Sequence, residues 1–455
     1  MYNIIDKDKG KKQSFGRSQD FIMAQAQRFL RPYLTMLYMQ MDVRLVRTFS
    51  DAFIGILLHR DAKRGLLLSE LGGYIAGFVK AVSGAKRLGN LFRKESWRYG
   101  DIEKVQLAEA QKQVSDWLAE GRRVLGFIDD SRIEKPESWF SEGLCAVYSS
   151  KAARLTRIKP GYYHPPLSRL CVPGFEWTAL MIGGLRLIPT LGLMKWWTKR
   201  GEHADSQDNV FYKMLKQIKA VFGLSLTLIL DRGFANLPTL ERLFERLFKC
   251  EHFFIIRWKS GHLLTDLGGN TKNTWRICQG KKSFDKRIVW DKERKKALKI
   301  EIIYAPVFHP EHIDKPLFLI VIRHKTIKGQ QPMYLLTNVE VDSVGIAWEI
   351  FFSYIQRWDI EQAFRFNKSE LGIEGIRLRK FENRLKMMAL VMLVYQFLLQ
   401  FWRNWQSAAL LIIRRWCPRN GKKLNEARLP LYRLRMALFA LLLPVFVQLS
   451  QQGNI

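Results

Sequence analysis

The chain has 455 residues, with 74 lysines and arginines against 42 aspartates and glutamates, so its formal net charge is +32. Hydrophobic residues make up 47% of the sequence and aromatic residues 13%, which is enough to build packed cores and excludes global disorder. A charge this far from zero indicates a polyanionic partner, and nucleic acid is the leading candidate. The five cysteines are scattered, without a CxxC pair, and favour a reducing cytoplasm over a disulfide framework or a cysteine zinc site.

The N-terminal part of the chain is predicted to be helical. Residues 1–20 are polar and lysine-rich, and we expect a flexible basic tail rather than a secretory signal. From residue 21 to 120, apolar residues recur at intervals of three and four, which is typical of amphipathic helices. A glycine-rich basic stretch, residues 72–101, suits docking on duplex DNA, although no helix-turn-helix signature is evident in the sequence. We therefore expect a helical DNA-binding region at 21–120.

The middle of the chain changes to strands with interspersed helices. Helices are predicted on both sides of the apolar strand 224–230, and this order indicates an α/β sheet within residues 121–260. From 261 to 341 the pattern consists of strands only, which predicts a β-rich insertion inside the α/β domain. The strands predicted in the first part cover residues 124–129, 175–182, 185–197, 224–230 and 252–258.

The last part of the chain is again predicted to be helical. Asp342 and Ser343 can cap a helix that runs without proline to about Leu371, so residues 342–380 are expected to complete the α/β domain and 381–455 to form a helical C-terminal region. The apolar runs 387–402 and 436–449 are shorter than the roughly 18 to 20 residues needed to cross a bilayer. We interpret both runs as buried helices; the alternative is an interfacial helix on anionic lipid.

Four carboxylates occupy positions that suit chemistry. Asp129 and Asp130 are predicted to end the strand at 124–128, Asp231 ends the strand 224–230, and Glu361 lies on the long predicted helix. Catalytic groups in open α/β sheets favour the carboxyl ends of strands, because the chain leaves the buried layer there. Taken singly, each aspartate also has an ordinary explanation as part of a turn.

The predicted helix carries one polar row. Tyr354, Arg357, Glu361 and Lys368 project within about 60° of one another on a continuous helix of 3.6 residues per turn. Asp359 and Glu370 would fall on the opposite side. A solvated face with an Arg357–Glu361 pair is the ordinary explanation, but a row over four turns favours a site where cations hold phosphates and the acid binds metal.

These residues carry a family resemblance. The spacing Tyr354-x2-Arg357-x3-Glu361-x6-Lys368 resembles the YREK signature of the insertion-sequence-4 family of bacterial DDE transposases. The segment DRGF at 231–234 is similar to the surroundings of that family's second aspartate, and IDDS at 128–131 to its first. The resemblance covers about residues 120–380.

The resemblance implies a fold and a metal site. The expected fold is α/β: a ribonuclease H-like catalytic domain interrupted by a β-rich insertion, with helical N- and C-terminal regions. Asp129, Asp231 and Glu361 would form the metal-binding triad for two Mg²⁺ ions, with Mn²⁺ as the alternative. The family commonly has aspartate two positions before Ser or Thr, which favours Asp129 as the first acid because Ser131 follows; the other register gives Asp130.

The resemblance also implies an activity and partners. The expected activity is metal-dependent cleavage of insertion-sequence ends and joining of the 3′-hydroxyl to target DNA in a cut-and-paste scheme. Tyr354, Arg357 and Lys368 would contact phosphates of the transposon end, and Arg232 is a further candidate DNA contact. Double-stranded DNA and a homodimer or larger assembly are the expected partners, with no membrane, in the cytoplasm at the nucleoid. The alternatives are a ribonuclease H-like nuclease or resolvase, and a non-catalytic DNA-binding protein.

Several other residues are weaker candidates. Trp275 and Trp290 could stack on a flipped base if the reaction passes through a hairpin, although packing is the more ordinary role of aromatic residues in strands. His309 and His312 flank an apparent turn and are treated as structural. Four basic runs are predicted to follow the DNA backbone: residues 149–161, 281–282, 292–299 and 377–386.

Overall fold

The fold is described from a computed structural model of the chain. It covers residues 11–60, 65–136, 140–149, 151, 160–164, 169–235, 239–291, 296–325, 331–417, 424 and 427–451.

Helices dominate both ends of the described chain, and strands dominate its middle. The helices are α1 (Lys11–Tyr38), α2 (Val43–Leu58), α3 (Leu68–Ala76), α4 (Ala81–Arg93), α5 (Tyr99–Ala119), α6 (Gln207–Phe222), α7 (Thr239–Lys249), α8 (Thr274–Ile277), α9 (Val344–Ile355), α10 (Trp358–Ser369), α11 (Phe381–Asn404), α12 (Gln406–Trp416) and α13 (Leu431–Gln451). The strands are β1 (Val124–Glu134), β2 (Cys145–Tyr148), β3 (Cys171–Gly183), β4 (Thr190–Trp197), β5 (Leu226–Leu230), β6 (Phe253–Trp258), β7 (Leu263–Thr265), β8 (Thr271–Asn273), β9 (Asp285–Asp291), β10 (Lys296–His309), β11 (His312–His324) and β12 (Met333–Thr337).

The strands form one mixed, 12-stranded sheet in the order β2-β3-β1-β5-β6-β12-β11-β10-β7-β8, with β4 beside β3 and β9 beside β10. β1 pairs antiparallel with β3 and parallel with β5, and β5 pairs parallel with β6. The fold class is therefore α/β, as predicted, and the sheet is a mixed one. The strands between residues 261 and 341 continue the same sheet, because β12 pairs with β6.

The sheet separates two hydrophobic cores because side chains alternate along each strand. Phe127 and Ile229 belong to the core shared with the N-terminal helices, α9, α10 and the C-terminal helices; we call this side of the sheet the bundle face. Ile128 and Leu228 belong to the core shared with α6 and α7, which we call the α6–α7 face. Any side chain in the central strands can therefore be assigned to one of two environments.

Two predicted element boundaries are wrong. β1 does not end at Asp129 but continues to Glu134, so Asp129 and Asp130 lie inside a strand and not in a turn. The strand predicted to begin at 185 begins at Thr190. β1 can extend past its apolar half because Asp129 to Glu134 remain paired with β3.

The prediction of a single helix between residues 342 and 371 is also wrong. Ser343 caps α9 as predicted, with its side chain accepting from the Ile346 backbone N–H, but α9 ends at Ile355 and α10 begins at Trp358. Gln356 and Arg357 form a tight turn between them, in which the Gln356 N–H donates to the carbonyls of Ser353 and Tyr354. The turn interrupts the helix just before Glu361.

Smaller differences occur at the chain start and in the β-rich block. A tail is predicted to residue 20, whereas residues 11–20 form the first part of α1. The block predicted to contain only strands includes the short helix α8. All five cysteines lie within the described chain, and each is buried with a free thiol.

The apolar run 387–402 lies in α11, which is long and apolar enough to span a membrane, but 89% of its most apolar 18-residue window is buried within the protein. The prediction of a buried helix is therefore confirmed for this run. In the run 436–449, which lies in α13, the described apolar residues include buried Ala437, Leu438 and Leu441.

Several buried cations in this region hold backbone carbonyls. Arg435 is 1% exposed and donates to carbonyls of Leu57 and Ile56 near the end of α2, while Lys386 donates to those of Phe92 and Lys94 at the end of α4. Carbonyls at the end of a helix lack partners within it, and a cation there also complements the helix dipole.

Arg384 is likewise buried and donates to the carbonyl of Leu378 at 3.0 Å and to that of Glu142. The prediction that run 377–386 follows DNA is therefore wrong for Arg384 and Lys386. Some of the cations that make up the net charge of +32 are therefore buried in the protein interior.

Two glycines of α4 give opposite stability predictions. A Cβ on Gly84 would lie 2.1 Å from the Gly72 carbonyl oxygen of α3, whereas a Cβ on Gly89 would meet only the end of Arg93 at 3.8 Å. We expect Gly84→Ala to lower the free energy of unfolding by about 2 kcal/mol through overpacking. Gly89→Ala should raise it by up to about 1 kcal/mol because alanine favours the helix. Denaturant unfolding measures both, and equal effects would contradict the close helix contact.

Candidate active site

The paired strands β1 and β5 bring two aspartates together. Ile128 of β1 lies beside Leu230 of β5 in the parallel register. The next residues along the two chains, Asp129 and Asp231, therefore occupy neighbouring positions. Asp129 is paired with Ala179, a bundle-face residue, and so projects toward α9 and α10. Asp231 directly follows the buried end of β5, where the chain turns into residues 232–235.

The turn between α9 and α10 places Arg357 among three carboxylates. Its Nη1 lies 2.9 Å from Asp129 Oδ2, its Nη2 donates to Glu361 Oε1, and its Nε lies 3.7 Å from Asp231 Oδ1. The carboxylates come from β1, the end of β5 and the first turn of α10, so segments far apart in the sequence meet at one cation. We call Asp129, Asp231 and Glu361 the acid cluster.

Tyr354 joins the acid cluster from the end of α9. Its hydroxyl donates to Asp231 Oδ1 at 3.1 Å, and the Arg357 guanidinium lies 5.8 Å from the centre of its ring. Tyr354 is 4% exposed, so the ring also packs within the bundle-face core. The tyrosine therefore fixes the second aspartate by a hydrogen bond and the arginine by ring contact.

The electrostatics of the cluster follow from burial and from the arginine. Burial raises the pKa of Asp129 to about 7, and the charge of Arg357 opposes this shift. Burial and the neighbouring Asp231 raise the pKa of Tyr354, so its hydroxyl stays protonated and can donate. Burial lowers the pKa of Arg357, but Tyr354 and the three carboxylates outweigh it and hold that pKa above its usual range. A cation at this place is thus strongly favoured.

Asp130, the alternative first acid, projects to the α6–α7 face. Its Oδ1 accepts from the Thr178 hydroxyl at 2.5 Å and its Oδ2 from the Gln207 side-chain amide at 2.5 Å. Burial raises its pKa to about 6, while those two hydrogen bonds lower it. Adjacent residues of a strand point to opposite faces, so the structure brings Asp129, and not Asp130, to the acid cluster.

The remaining predicted DNA contacts, Lys368 and Arg232, make no hydrogen bond or ion pair with the acid cluster among the contacts of the described residues. Lys368, near the end of α10, has its Nζ 3.9 Å from Glu374 Oε1. Burial lowers the pKa of Lys368, and Glu374 and Glu134 oppose that shift. Arg232 is exposed, directly after Asp231. Tyr354, Arg357 and Glu361 are thus brought together, whereas Lys368 lies about two turns further along α10 than Glu361 and is paired with Glu374 instead.

The acid cluster has the donor chemistry of a divalent cation site, although its present cation is a guanidinium. Within the described part of the chain, no three acidic, histidine or cysteine side chains stand at the spacing of a metal site. Instead, three carboxylates, the hard oxygen donors that Mg²⁺ prefers, are directed at Arg357. The buried Arg357 Nε has no hydrogen-bond partner, so the arginine satisfies this place incompletely. In their donor chemistry the three carboxylates suit a divalent ion.

The tryptophan candidates do not reach the acid cluster. Trp275 lines a cavity of about 520 Å³ together with Tyr334 and Arg323. Tyr334 belongs to the core on the α6–α7 face, opposite the acid cluster. Trp290 is 60% exposed on β9. Of the predicted basic runs, 292–295 and most of 149–161 lie outside the described residues.

An ion pair that the sequence patterns did not predict fixes the start of α10. Arg428 Nη1 donates to both oxygens of Asp359 at 2.7 and 2.8 Å, and its Nη2 donates to the Leu187 carbonyl. Burial raises the pKa of Asp359 to about 6, and Arg428 opposes this. The helix geometry did indicate that Asp359 faces away from Glu361. The partner of Asp359, Arg428, lies 69 residues further along the chain, and no local sequence pattern indicates the pair.

We expect Arg428→Ala to destabilise the protein by about 2 kcal/mol, because it leaves the buried carboxylate of Asp359 without its cation. The double variant Arg428→Ala, Asp359→Asn should recover part of that loss. Denaturant unfolding of the four proteins of this cycle measures the coupling. If the losses of the single variants simply add, the pair does not stabilise α10.

Comparison with known proteins gives one family. Residues 199–397 match the family model described as a transposase DDE domain. The matched region includes Asp231, Tyr354, Arg357 and Glu361, and begins after Asp129. No curated protein matches the chain. The match supports a DDE transposase, a family that implies nuclease and transesterase activity and DNA binding and whose members generally use divalent metal ions.

Proposed function

We propose that this protein is a DNA transposase of the insertion-sequence-4 family that cleaves the ends of its element and joins them to target DNA. The observation that carries the proposal is the convergence of Asp129, Asp231 and Glu361, from three separate segments, on Arg357. The YREK spacing supports the family, since three of its four residues contact this cluster or belong to it. The expected partners are terminal inverted repeats, target DNA and a second copy of the chain, at the bacterial nucleoid.

The sheet supports a ribonuclease H-like catalytic core. In the order β4-β3-β1-β5-β6, the first three strands are antiparallel neighbours and the last three are parallel ones. The first acid lies on β1 and the second directly follows β5. Helix α10 packs across β1 and β3, with Phe364 4.6 Å from Trp177 between ring centres. A rigid sheet thus holds two acids while a helix supplies the third.

Asp129, Asp231 and Glu361 would hold the divalent ions, two Mg²⁺ in the proposed reaction. Bound metal supplies activation of a water or 3′-hydroxyl and stabilisation of the leaving oxygen. Tyr354 orients Asp231 through its hydroxyl. Arg357 neutralises the acids without metal, and once released it is placed to bind a phosphate of the DNA end with its planar donor fork.

A metal-dependent nuclease or resolvase of the same fold is the second candidate, because it needs the same acids. The two are separated by strand transfer. The purified full-length protein is incubated with Mg²⁺, a plasmid target and a duplex whose sequence is the chromosomal end of the element, already cleaved to expose its 3′-hydroxyl. Covalent joining supports the transposase, whereas hydrolysis without joining supports the nuclease.

The DNA beside the gene supplies the end sequence and an independent test. Inverted repeats on both sides, bounded by short direct repeats, would support a mobile element. For the non-catalytic alternative, the decisive result is binding of these ends without any Mg²⁺-dependent cleavage by the unaltered protein.

A further inference from the structure

Helices α3 and α4 form a helix-turn-helix unit in the N-terminal region. α3 ends at Ala76, and α4 begins at Ala81 after a connection of residues 77–80. Gly77 opens the connection with φ +83°, a backbone conformation that glycine adopts without strain. A turn of three to four residues with glycine is typical of this motif, whose second helix enters the major groove of DNA.

The two helices touch through glycine, which fixes their relative position. A Cβ on Gly72 would lie 2.2 Å from the Ala81 carbonyl oxygen and 2.5 Å from the Ala85 nitrogen. A Cβ on Gly84 would meet the Gly72 carbonyl oxygen at 2.1 Å. Backbone therefore packs on backbone, and the unit presents its outer surface rigidly.

The outer surface of α4 has no partner among the described parts of the chain. Val79, which precedes the helix, is fully exposed, and Val82 is 86% exposed. Ser83, Lys86 and Asn90 continue this exposed face at helical spacing. The opposite face is buried by Leu88, Leu91 and Phe92. Exposed apolar residues at the start of a helix, followed by a lysine and an asparagine, form a recognisable contact surface.

The charge of this unit points to a polyanion. No acidic residue occurs from residue 71 to 94. The basic residue Arg87 is engaged by Asp51 at 2.9 Å, and the exposed Arg93 donates to Asn90 Oδ1 at 2.8 Å on the same face of α4. Lys80, Lys86 and Lys94 are also exposed. A second copy of this surface would be repelled by like charge, which argues against a dimer contact here.

We propose that α4 is a recognition helix that reads the major groove of the element's terminal repeats. Asn90 can pair with an adenine edge when it exchanges its exposed hydrogen bond from Arg93 for the base. Lys86 can pair with a guanine edge, and the methyl groups of Val82 can contact a thymine methyl. Lys80, Arg93 and Lys94 flank these residues and contact phosphates. The proposal rests on the proposed function only in taking the terminal repeat as its DNA.

The α4 unit is attached firmly to the rest of the protein. Arg87 ties α4 to α2 through Asp51, and Lys386 of α11 donates to the carbonyls of Phe92 and Lys94 at the end of α4. DNA held on α4 therefore keeps a defined position relative to the sheet. Recognition of the sequence would set which phosphate can reach the acid cluster.

The test is DNA binding by the full chain without divalent ions, so that cleavage plays no part. A duplex library with a randomised segment is selected on the unaltered protein, and the enriched sequence and a scrambled duplex are compared by fluorescence anisotropy at fixed salt. We expect Asn90→Ala and Val82→Ser each to weaken binding of the enriched sequence about tenfold and binding of the scrambled duplex less than twofold. Lys94→Ala should weaken both alike.

Lys104→Ala, which removes an exposed lysine from α5, is the control. It should weaken binding of the enriched and of the scrambled duplex by no more than the loss of one phosphate contact would. Because Val82 and Asn90 are exposed, their variants should unfold at the same temperature as the unaltered protein. Unchanged preference for the enriched sequence in both Asn90→Ala and Val82→Ser would overturn the proposal, and so would equal loss on both duplexes. Neither result would bear on cleavage at the acid cluster, which is tested separately by strand transfer.

Discussion

Asp129→Asn should reduce Mg²⁺-dependent DNA cleavage on the order of 10³-fold or more, while Asp130→Asn should retain most of it. Replacing the Asp129 carboxylate by an amide removes a charged oxygen ligand from the acid cluster, and a bound metal supplies several kcal/mol of transition-state stabilisation. Asp130 faces Thr178 and Gln207 on the other side of the sheet and touches neither Arg357 nor Glu361 through any contact described.

The neighbouring substitutions control for one another because they have the same size and the same charge change in the same strand. Both should fold: Asp130→Asn keeps an oxygen for the Thr178 hydroxyl, and the Gln207 amide can rotate toward the new side chain. The measurement is the initial rate of cleavage of a labelled terminal-repeat duplex, together with thermal unfolding of each variant. Loss of cleavage in Asp130→Asn alone would reverse our assignment of the first acid.

The sequence predicts the acids of this site better than the elements that carry them. The apolar strands before Asp129 and Asp231 are continuous buried runs, so their position in an α/β sheet follows from local pattern. The extension of β1 to Glu134 does not, because it depends on pairing with β3 some 40 residues onward. Polar residues after an apolar strand look like a turn unless the partner strand is known.

The break between α9 and α10 shows the limit of helix geometry from sequence. Residues 355–358 contain neither proline nor glycine, the residues that ordinarily interrupt helices, so the pattern predicts one helix. In the structure, Arg357 sits in the break and bonds to Asp129 and Glu361. Ion pairs to the sheet offset the backbone hydrogen bonds lost at the turn. No pattern in the local sequence indicates these ion pairs.

The basic charge also divides in a way that composition does not reveal. Arg384, Lys386 and Arg435 look in the sequence like members of basic runs, but each is buried and donates to backbone carbonyls. The cations of α4 stay exposed because the opposite face of that helix supplies the core. Which cations can meet DNA therefore depends on the neighbours of each helix.

Arg357→Ala should lower the free energy of unfolding by about 4 kcal/mol when no divalent ion is present. The Arg357 side chain is 12% exposed and that of Asp129 16%, and removing one partner of a largely buried ion pair leaves a charge without compensation. Three carboxylates would then repel one another in a site of low solvent access. Denaturant unfolding in a chelating buffer measures the loss.

Mg²⁺ should restore much of that stability, because the ion provides the positive charge that the arginine supplied. A ligand that binds the folded state alone stabilises it by RT ln(1 + [L]/Kd), so the rise in midpoint with Mg²⁺ reports affinity without any reaction. In the unaltered protein the ion must compete with the guanidinium, and its effect should be smaller. Arg357→Ala therefore gains more from Mg²⁺ than the unaltered protein while losing DNA-end binding.

Arg365→Ala is the matched control, since Arg365 is an exposed arginine on the same helix, α10. It removes the same charge without touching the acid cluster, so its stability should change by less than about 0.5 kcal/mol and its response to Mg²⁺ should equal that of the unaltered protein. Equal responses to Mg²⁺ in Arg357→Ala and Arg365→Ala would show that the guanidinium and the metal do not share a position. The acid cluster would then need another cation site, and Arg357 would be a fixed part of the fold.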